Sequence, residues 1–198
     1  MNPISSCLLI GNSRWHWVFN RNNNFDYIHS EPNVKLLENL ETPLDRWAAV
    51  GHLPSTNKLN PLNEITIQDI PLKKLPPWIG VDRALGAWEA TKKAKEIDNF
   101  SAGILIADAG TVLSLTCINN KEEFEGGQLV GGLRLQLLAM SQGGENLKHP
   151  GLISKIPEKF PISTNEAMHR GSLQALIGVI NEAQSSSKMP LWLCGGDS

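Results

Sequence analysis

The chain has 198 residues, 41% of them apolar and 19% charged, and its eighteen basic and twenty acidic side chains leave a formal charge of -2. That apolar content can build a core and excludes a disordered chain, while the near-neutral charge without a long basic run excludes an electrostatic footprint for nucleic acid or an anionic membrane. A small neutral or anionic ligand is the partner class left open.

The N-terminal text Met1–Ser13 has no basic start, and its apolar run Cys7–Ile10 is far shorter than the roughly 7–15 residues of a signal-peptide core. No stretch approaches the roughly 18 apolar residues of a membrane span, so a cytoplasmic protein is expected. Cys7–Ile10 reads as a strand, Gly11-Asn12-Ser13 as a turn, and Trp15, Trp17 and Phe19 alternate along a returning strand with the two tryptophans on a core face. Residues 20–46 read as polar and turn-rich, Trp47–Leu53 as a short buried strand, and 54–79 as a proline-rich loop. Ala84–Ala94 reads as a helix with Ala84, Leu85 and Trp88 on one face, Asp82 as its N-cap and lysines at its solvated end.

A second hairpin follows, with strands Gly103–Ala107 and Val112–Ile118 around the turn Asp108-Ala109-Gly110-Thr111. Laid on the first hairpin, it gives two lobes of related topology. The expected boundary is 1–100 and 101–198. Beyond it come glycine-rich loops at 126–127 and 131–132 and a helix over Arg134–Ser141. A longer helix over Thr164–Ala183 is opened by a capping box of Ser163 and Glu166, and Leu191–Cys194 reads as a final buried strand. The cysteines Cys7, Cys117 and Cys194 are odd in number and widely spaced in these apolar runs, which predicts buried free thiols. The five histidines share no ligand spacing on a helix face and read as surface or packing residues.

Asp108-Ala109-Gly110-Thr111 combines a carboxylate for a cation, a glycine that admits backbone N–H groups to an anion, and a hydroxyl. The same residues also make an ordinary hairpin turn. Paired with Gly11-Asn12-Ser13, the turn could clasp a triphosphate from both sides. Gly80-Val81-Asp82-Arg83 sets a carboxylate and a guanidinium at a helix entrance, either as a cap and a surface arginine or as acceptor of a substrate hydroxyl and binder of a substrate anion. The glycine pairs 126–127 and 195–196 offer backbone surfaces for a flat base or ribose.

In order, GNS at 11–13, GVDR at 80–83, ADAGT at 107–111, EGGQLVGG at 125–132, TNEAMHRG at 164–171 and CGGDS at 194–198 resemble the type III pantothenate kinases. The resemblance implies an α/β fold of two actin-like, ribonuclease H-like lobes, each a mixed sheet with flanking helices. It implies ATP-dependent phosphorylation of pantothenate, the first step towards coenzyme A, with Mg²⁺ and a monovalent cation (K⁺ or NH₄⁺). A homodimer with shared active sites follows from it, the apolar face of the 164–183 helix lying across the two-fold. In the same terms Asp82 is the general base, and Gly80, Val81, Asp82 and Arg83 line the pantothenate pocket. Thr164 touches pantothenate across the subunits, and Asp108 is the monovalent-cation ligand. Gly11, Asn12 and Ser13 form the first phosphate loop, with Gly110, Thr111, Gly195 and Gly196 completing the nucleotide site.

Three positions depart from the family. Leu9 replaces the aspartate of Asp-x-Gly-Asn-Thr, Gly131 stands for a proline, and Trp78 is the aromatic nearest the missing tyrosine ahead of GxDR. The family also continues past the GGD motif, so a C-terminal lobe cut short is expected. Leu9 keeps open a kinase-fold binding protein with weak or no catalysis, and the fold alone leaves open a kinase for another small alcohol.

Overall fold

The computed structural model describes residues 6–21, 24–151, 153 and 155–196. They fall into two units, Met1–Trp88 and Glu89–Ser198, each carrying a four-stranded mixed sheet of the expected α/β class.

In the first unit, β1 (Ser6–Ile10), β2 (Trp15–Arg21), β3 (Asn24–Ser30), α1 (Val34–Glu38) and β4 (Arg46–Ala49) follow one another. The sheet order is β3-β2-β1-β4, with β4 parallel to β1 and the other pairs antiparallel. Side chains alternate across a strand, so register decides the core. Leu8 lies opposite Trp17 and Trp47, and Ile10 opposite Trp15 and Ala49. Leu37 and Leu44 close this cluster. Trp15 and Trp17 are only 2% and 3% exposed, as their spacing predicted. The indole N–H groups keep partners: Trp17 donates to Ser30 Oγ at 3.1 Å and Trp47 to the Asn60 carbonyl at 2.8 Å.

Two expectations for this unit are corrected. Residues 20–46 contain β3 and α1 rather than loop alone. β3 is an edge strand exposed along both faces, so nothing forces a hydrophobic alternation on it. α1 is a five-residue helix with one buried side chain, Leu37, and is started by Asn33, whose side chain accepts from Lys35 N–H. β4 stops at Ala49 instead of Leu53, because Val50 and Gly51 both turn their N–H groups onto the Ile10 carbonyl, at 2.9 and 3.1 Å.

The unit boundary falls inside α2 (Val81–Glu96). Its buried face is Val81, Ala84, Ala87, Thr91 and Ala94, a stripe of mostly small residues at helical spacing, which includes the expected Ala84 while Leu85 and Trp88 are only half-buried. The lysines at its end are solvated, Lys92 and Lys93 pairing with Glu89 and Glu96.

The second unit contains β5 (Ile104–Ala109), β6 (Val112–Ile118), β7 (Phe124–Gly131), α3 (Leu133–Gly143), α4 (Thr164–Ser187) and β8 (Leu191–Cys194). Its order, β7-β6-β5-β8, repeats that of the first sheet, with β8 parallel to β5. Leu105, Ala107, Leu113 and Leu115 pack with Ala183 of α4, and Leu176, Val179 and Ile180 lie against them. Part of the apolar face of α4, expected across a two-fold, thus lies against its own sheet. Gly126, Gly127 and Gly131 belong to β7 rather than to loops. Gly126 has φ +130° beside a register shift at Cys117/Ile118, the bulge that a glycine within a strand signals. β8 is half-buried to exposed rather than buried. The cysteines are free, but Cys7 and Cys117 are half-buried and Cys194 is exposed. Among the described residues no helix is long and apolar enough to cross a membrane.

Candidate functional site

The first glycine turn is closed by Gly11 N–H donating to the Arg14 carbonyl at 3.1 Å, which leaves Asn12 and Ser13 exposed at its tip. Sequence reasoning missed what supports it. A Cβ on Gly51 would sit 2.5 Å from the Gly11 oxygen and 3.1 Å from Asn12 N, so two backbones touch where β4 ends against this turn. Leu9 lies on the face of β1 opposite Leu8 and Ile10 and is half-buried. Its cross-strand neighbours are His16 and Ala48.

The second turn is shorter than expected. Asp108 and Ala109 belong to β5, Asp108 standing in register with Ser114 on β6 and Cys194 on β8, which leaves Gly110 and Thr111 as the link to β6. The strand extends because β8 supplies a parallel partner as far as Asp108. Partial burial of the thiol within this exposed residue, with the Asp108 carboxylate as second cause, pushes the Cys194 thiol up to about 11.

Two glycines from elsewhere in the chain lie on the same turn. A Cβ on Gly132 would overlap the Gly110 oxygen and come within 2.7 Å of the Thr111 oxygen, and the Gly132 N–H donates to that Thr111 carbonyl at 2.9 Å. Gly195, at φ +103°, lies against the backbone of Ala109. The structure thus brings Asp108, Gly110, Thr111 and Gly195 to one end of the second sheet. Gly196 follows directly. The supporting position of Gly132 was visible only as part of a glycine pair.

Gly80–Arg83 lies at the head of α2. The Gly80 carbonyl accepts the first helical bond, from Ala84 N at 3.0 Å, which makes Asp82 the second helical residue and not the cap. Its Oδ1 instead accepts from Arg83 N–H at 2.7 Å, fixing an exposed carboxylate in the first turn. Gly80 makes room for this, since a Cβ there would lie 2.5 Å from Asp82 Oδ1 and 3.3 Å from Val50 Cγ1.

Beside Gly80 and Val81 opens a cleft of about 460 Å³, walled by Ala49, Val50, Pro77, Ile79 and residues 64–68. The 64–68 wall is pinned by Ile65 N–H donating to the Trp47 carbonyl at 2.7 Å. Thr66 donates its N–H and hydroxyl to Asp69 Oδ2 at 2.8 and 2.9 Å, which holds that carboxyl below its usual range. Trp78, between two lining residues, is exposed. Thr164 is the exposed first residue of α4, capped by Ser163, whose hydroxyl meets both Glu166 N and Oε2. It stands about three turns before Leu176, the first α4 side chain packed against the second core.

The family model described as type III pantothenate kinase matches residues 69–185, more than half of the chain and inclusive of the α2 head, the second turn and Thr164. The chain belongs to the type III pantothenate kinase family. A type III pantothenate kinase of Thermosynechococcus vestitus is 30% identical over 83% of the chain and 64% of its own length. One of Nostoc is 32% identical over 61% and 42%, and one of Synechococcus elongatus 28% identical over 96% and 83%. The chain thus spans less than two thirds of the first two of these curated relatives. Among solved structures, a conserved protein of Campylobacter jejuni described as a Baf family transcriptional activator matches 98% of the chain and 84% of its own, with a TM-score of 0.60 at 18% identity. That likeness shows the fold.

Proposed function

We propose that this chain carries the catalytic elements for transferring the γ-phosphoryl group of ATP to the terminal hydroxyl of pantothenate. The observation that carries the reading is the head of α2. An exposed carboxylate, oriented by the next residue's N–H at 2.7 Å, stands beside a cleft lined by Gly80 and Val81 within a family-matched segment. Phosphoryl transfer through a loose transition state asks for an oriented nucleophile more than a fully deprotonated one. Asp82 accepts the substrate hydroxyl proton, Arg83 offers a cation for the pantothenate carboxylate, and Gly80 and Val81 line the pocket. Gly11, Asn12 and Ser13 present donors to phosphate oxygens from one turn. Gly110 and Thr111 do so from the other, with Gly195 and Gly196 alongside the nucleotide.

Asp108 suits a monovalent cation: its negative charge is felt at Cys194, and a K⁺ or NH₄⁺ held there would lessen the repulsion between carboxylate and phosphate. The residues at the first turn do not fit a protein-held Mg²⁺. Leu9 supplies no oxygen, and no group of three acidic, histidine or cysteine side chains suited to a metal occurs among the described residues. Mg²⁺ then travels on the ATP phosphates with its waters, as this ion tolerates. Thr164 completes the pantothenate site of a second copy in a homodimer, and the compartment is the cytoplasm.

The test is an ADP-release assay with pantothenate, ATP and Mg²⁺ in K⁺, NH₄⁺ or Na⁺. Pantothenate-dependent turnover favouring K⁺ or NH₄⁺ is expected. Nucleotide and pantothenate binding without turnover would support the second reading, a binding protein, which the apolar Leu9 favours.

A further inference from the structure

His16 on β2 and His29 on β3 are directly opposite each other in the antiparallel register. Their Nδ1 atoms lie 2.8 Å apart, the rings being 4.8 Å between centroids and crossed at 72°. Both side chains are exposed, so two imidazole nitrogens converge at a point open to water. From this convergence we propose a second site on this chain, a two-imidazole chelate for a divalent transition ion such as Ni²⁺, Cu²⁺ or Zn²⁺, formed by His16 and His29 across the β2–β3 pair.

The geometry of such ions supports the assignment. Imidazole nitrogens bind at roughly 2.0–2.1 Å, so two of them at a right angle about one ion stand about 2.9 Å apart, and two at a tetrahedral angle about 3.3 Å. The observed 2.8 Å lies next to the right-angled case, the arrangement of square-planar and octahedral ions. Imidazole is a borderline donor that suits Ni²⁺, Cu²⁺ and Zn²⁺ and does not suit Mg²⁺, so the site is chemically separate from any Mg²⁺ brought by a nucleotide. Two protein ligands leave the other positions to water, consistent with the lack of any three-ligand cluster among the described residues. The backbone has already done the positioning. Directly opposed residues on neighbouring strands hold their Cβ atoms about 4.5–5.5 Å apart, and the sheet fixes both strands through Trp15 and Trp17, which flank His16 and are buried. An ion bound here would tie the exposed edge strand β3 to β2. It would also sit in the same cross-strand row as Leu9, which pairs with His16.

The competing account of 2.8 Å is a plain N–H···N hydrogen bond between two neutral rings, and thermal unfolding with Ni²⁺ separates the two. An ion that binds the folded chain more tightly than the unfolded one raises Tm with its concentration. The whole chain should show a Ni²⁺-dependent rise in Tm that EDTA reverses and that Mg²⁺ does not produce. His29→Gln and His16→Gln should each lose it, and the double substitution should lose no more than either single one, because half a chelate is no chelate. Isothermal titration with Ni²⁺ should report at least a tenfold weaker affinity in each single variant. If Ni²⁺ leaves Tm unchanged, or if His29→Gln keeps the full rise, the pair is a hydrogen bond only and the proposal fails. None of these readouts depends on kinase activity.

Discussion

Gly132→Ala probes the support of the second turn with a single methyl group. Gly132 has φ −64° and ψ 173°, a conformation alanine adopts freely, so the substitution carries no backbone penalty of its own. It carries a steric one. The new methyl would overlap the Gly110 oxygen and stand 2.7 Å from the Thr111 oxygen and 2.9 Å from the Thr111 carbonyl carbon. A carbon against a carbonyl oxygen rests at about 3.3–3.6 Å, so the turn or the start of α3 must retreat by on the order of 1 Å. Overpacking of this kind costs about 1–3 kcal/mol, and at about 2–4 °C per kcal/mol for a chain of this size Tm should fall by about 2–12 °C. A displacement of about 1 Å in the turn proposed to hold phosphate should lower turnover about 10²-fold.

Gly110→Ala is the matched control. A Cβ at Gly110 meets nothing within 4 Å, and replacing glycine where the backbone allows it stabilises by about 0.4–1 kcal/mol through the unfolded chain. It should melt at or slightly above the wild-type temperature. Thermal unfolding of the two variants side by side makes the comparison. Equal melting of Gly132→Ala and Gly110→Ala would refute the argument that Gly132 carries the turn.

Asp82→Asn should preserve Tm and lower kcat by about 10²- to 10⁴-fold, the range for a lost acid-base group, as read by steady-state kinetics; wild-type turnover would leave Asp82 a helix-start residue only. Leu9→Asp should need less Mg²⁺ for half-maximal rate. Because Leu9 is half-buried on the face away from Leu8 and Ile10, its thermal destabilisation without nucleotide should be partly recovered with MgATP. A Mg²⁺ dependence that does not move would dissociate position 9 from the nucleotide. Cys194, with its thiol at about 11, should be alkylated at pH 8 about 100-fold more slowly than an ordinary cysteine despite its exposure, and Asp108→Asn should speed the reaction. The folded-state value exceeds the unfolded one, so the associated stability is full below about pH 9 and is lost as pH rises towards 11, which a pH series of melting curves follows.

The sequence made the hairpins legible because both glycine turns sit between alternating or continuous apolar runs, and Trp15 and Trp17 declare their face by spacing alone. β3 was hidden by the physics of an edge: Phe25, Tyr27 and Ile28 are exposed at 56%, 69% and 48%, so the apolar residues follow no period. β7 was hidden by its glycines, which signal turns in local sequence but serve a bulge once β6 lies alongside. Asp82 was legible as a helix-start residue, while its exact position depended on whether Gly80 could take the cap. The contacts of Gly51, Gly132 and Gly195 with turns far along the chain have no local signature. They exist only after the strands have paired.

The order β7-β6-β5-β8 also sets a timetable. β5 receives its parallel partner only when residues 191–194 have been synthesised and released from the ribosome, and the backbone of Gly195, which lies against Ala109, arrives later still. Until then the flank of β5 that carries Asp108 has an unpaired edge, and pairing across so long a stretch of chain is slow. A nascent chain halted before β8 would display that edge to other strands, so the end of β5 that carries Asp108 is assembled after translation of almost everything else described.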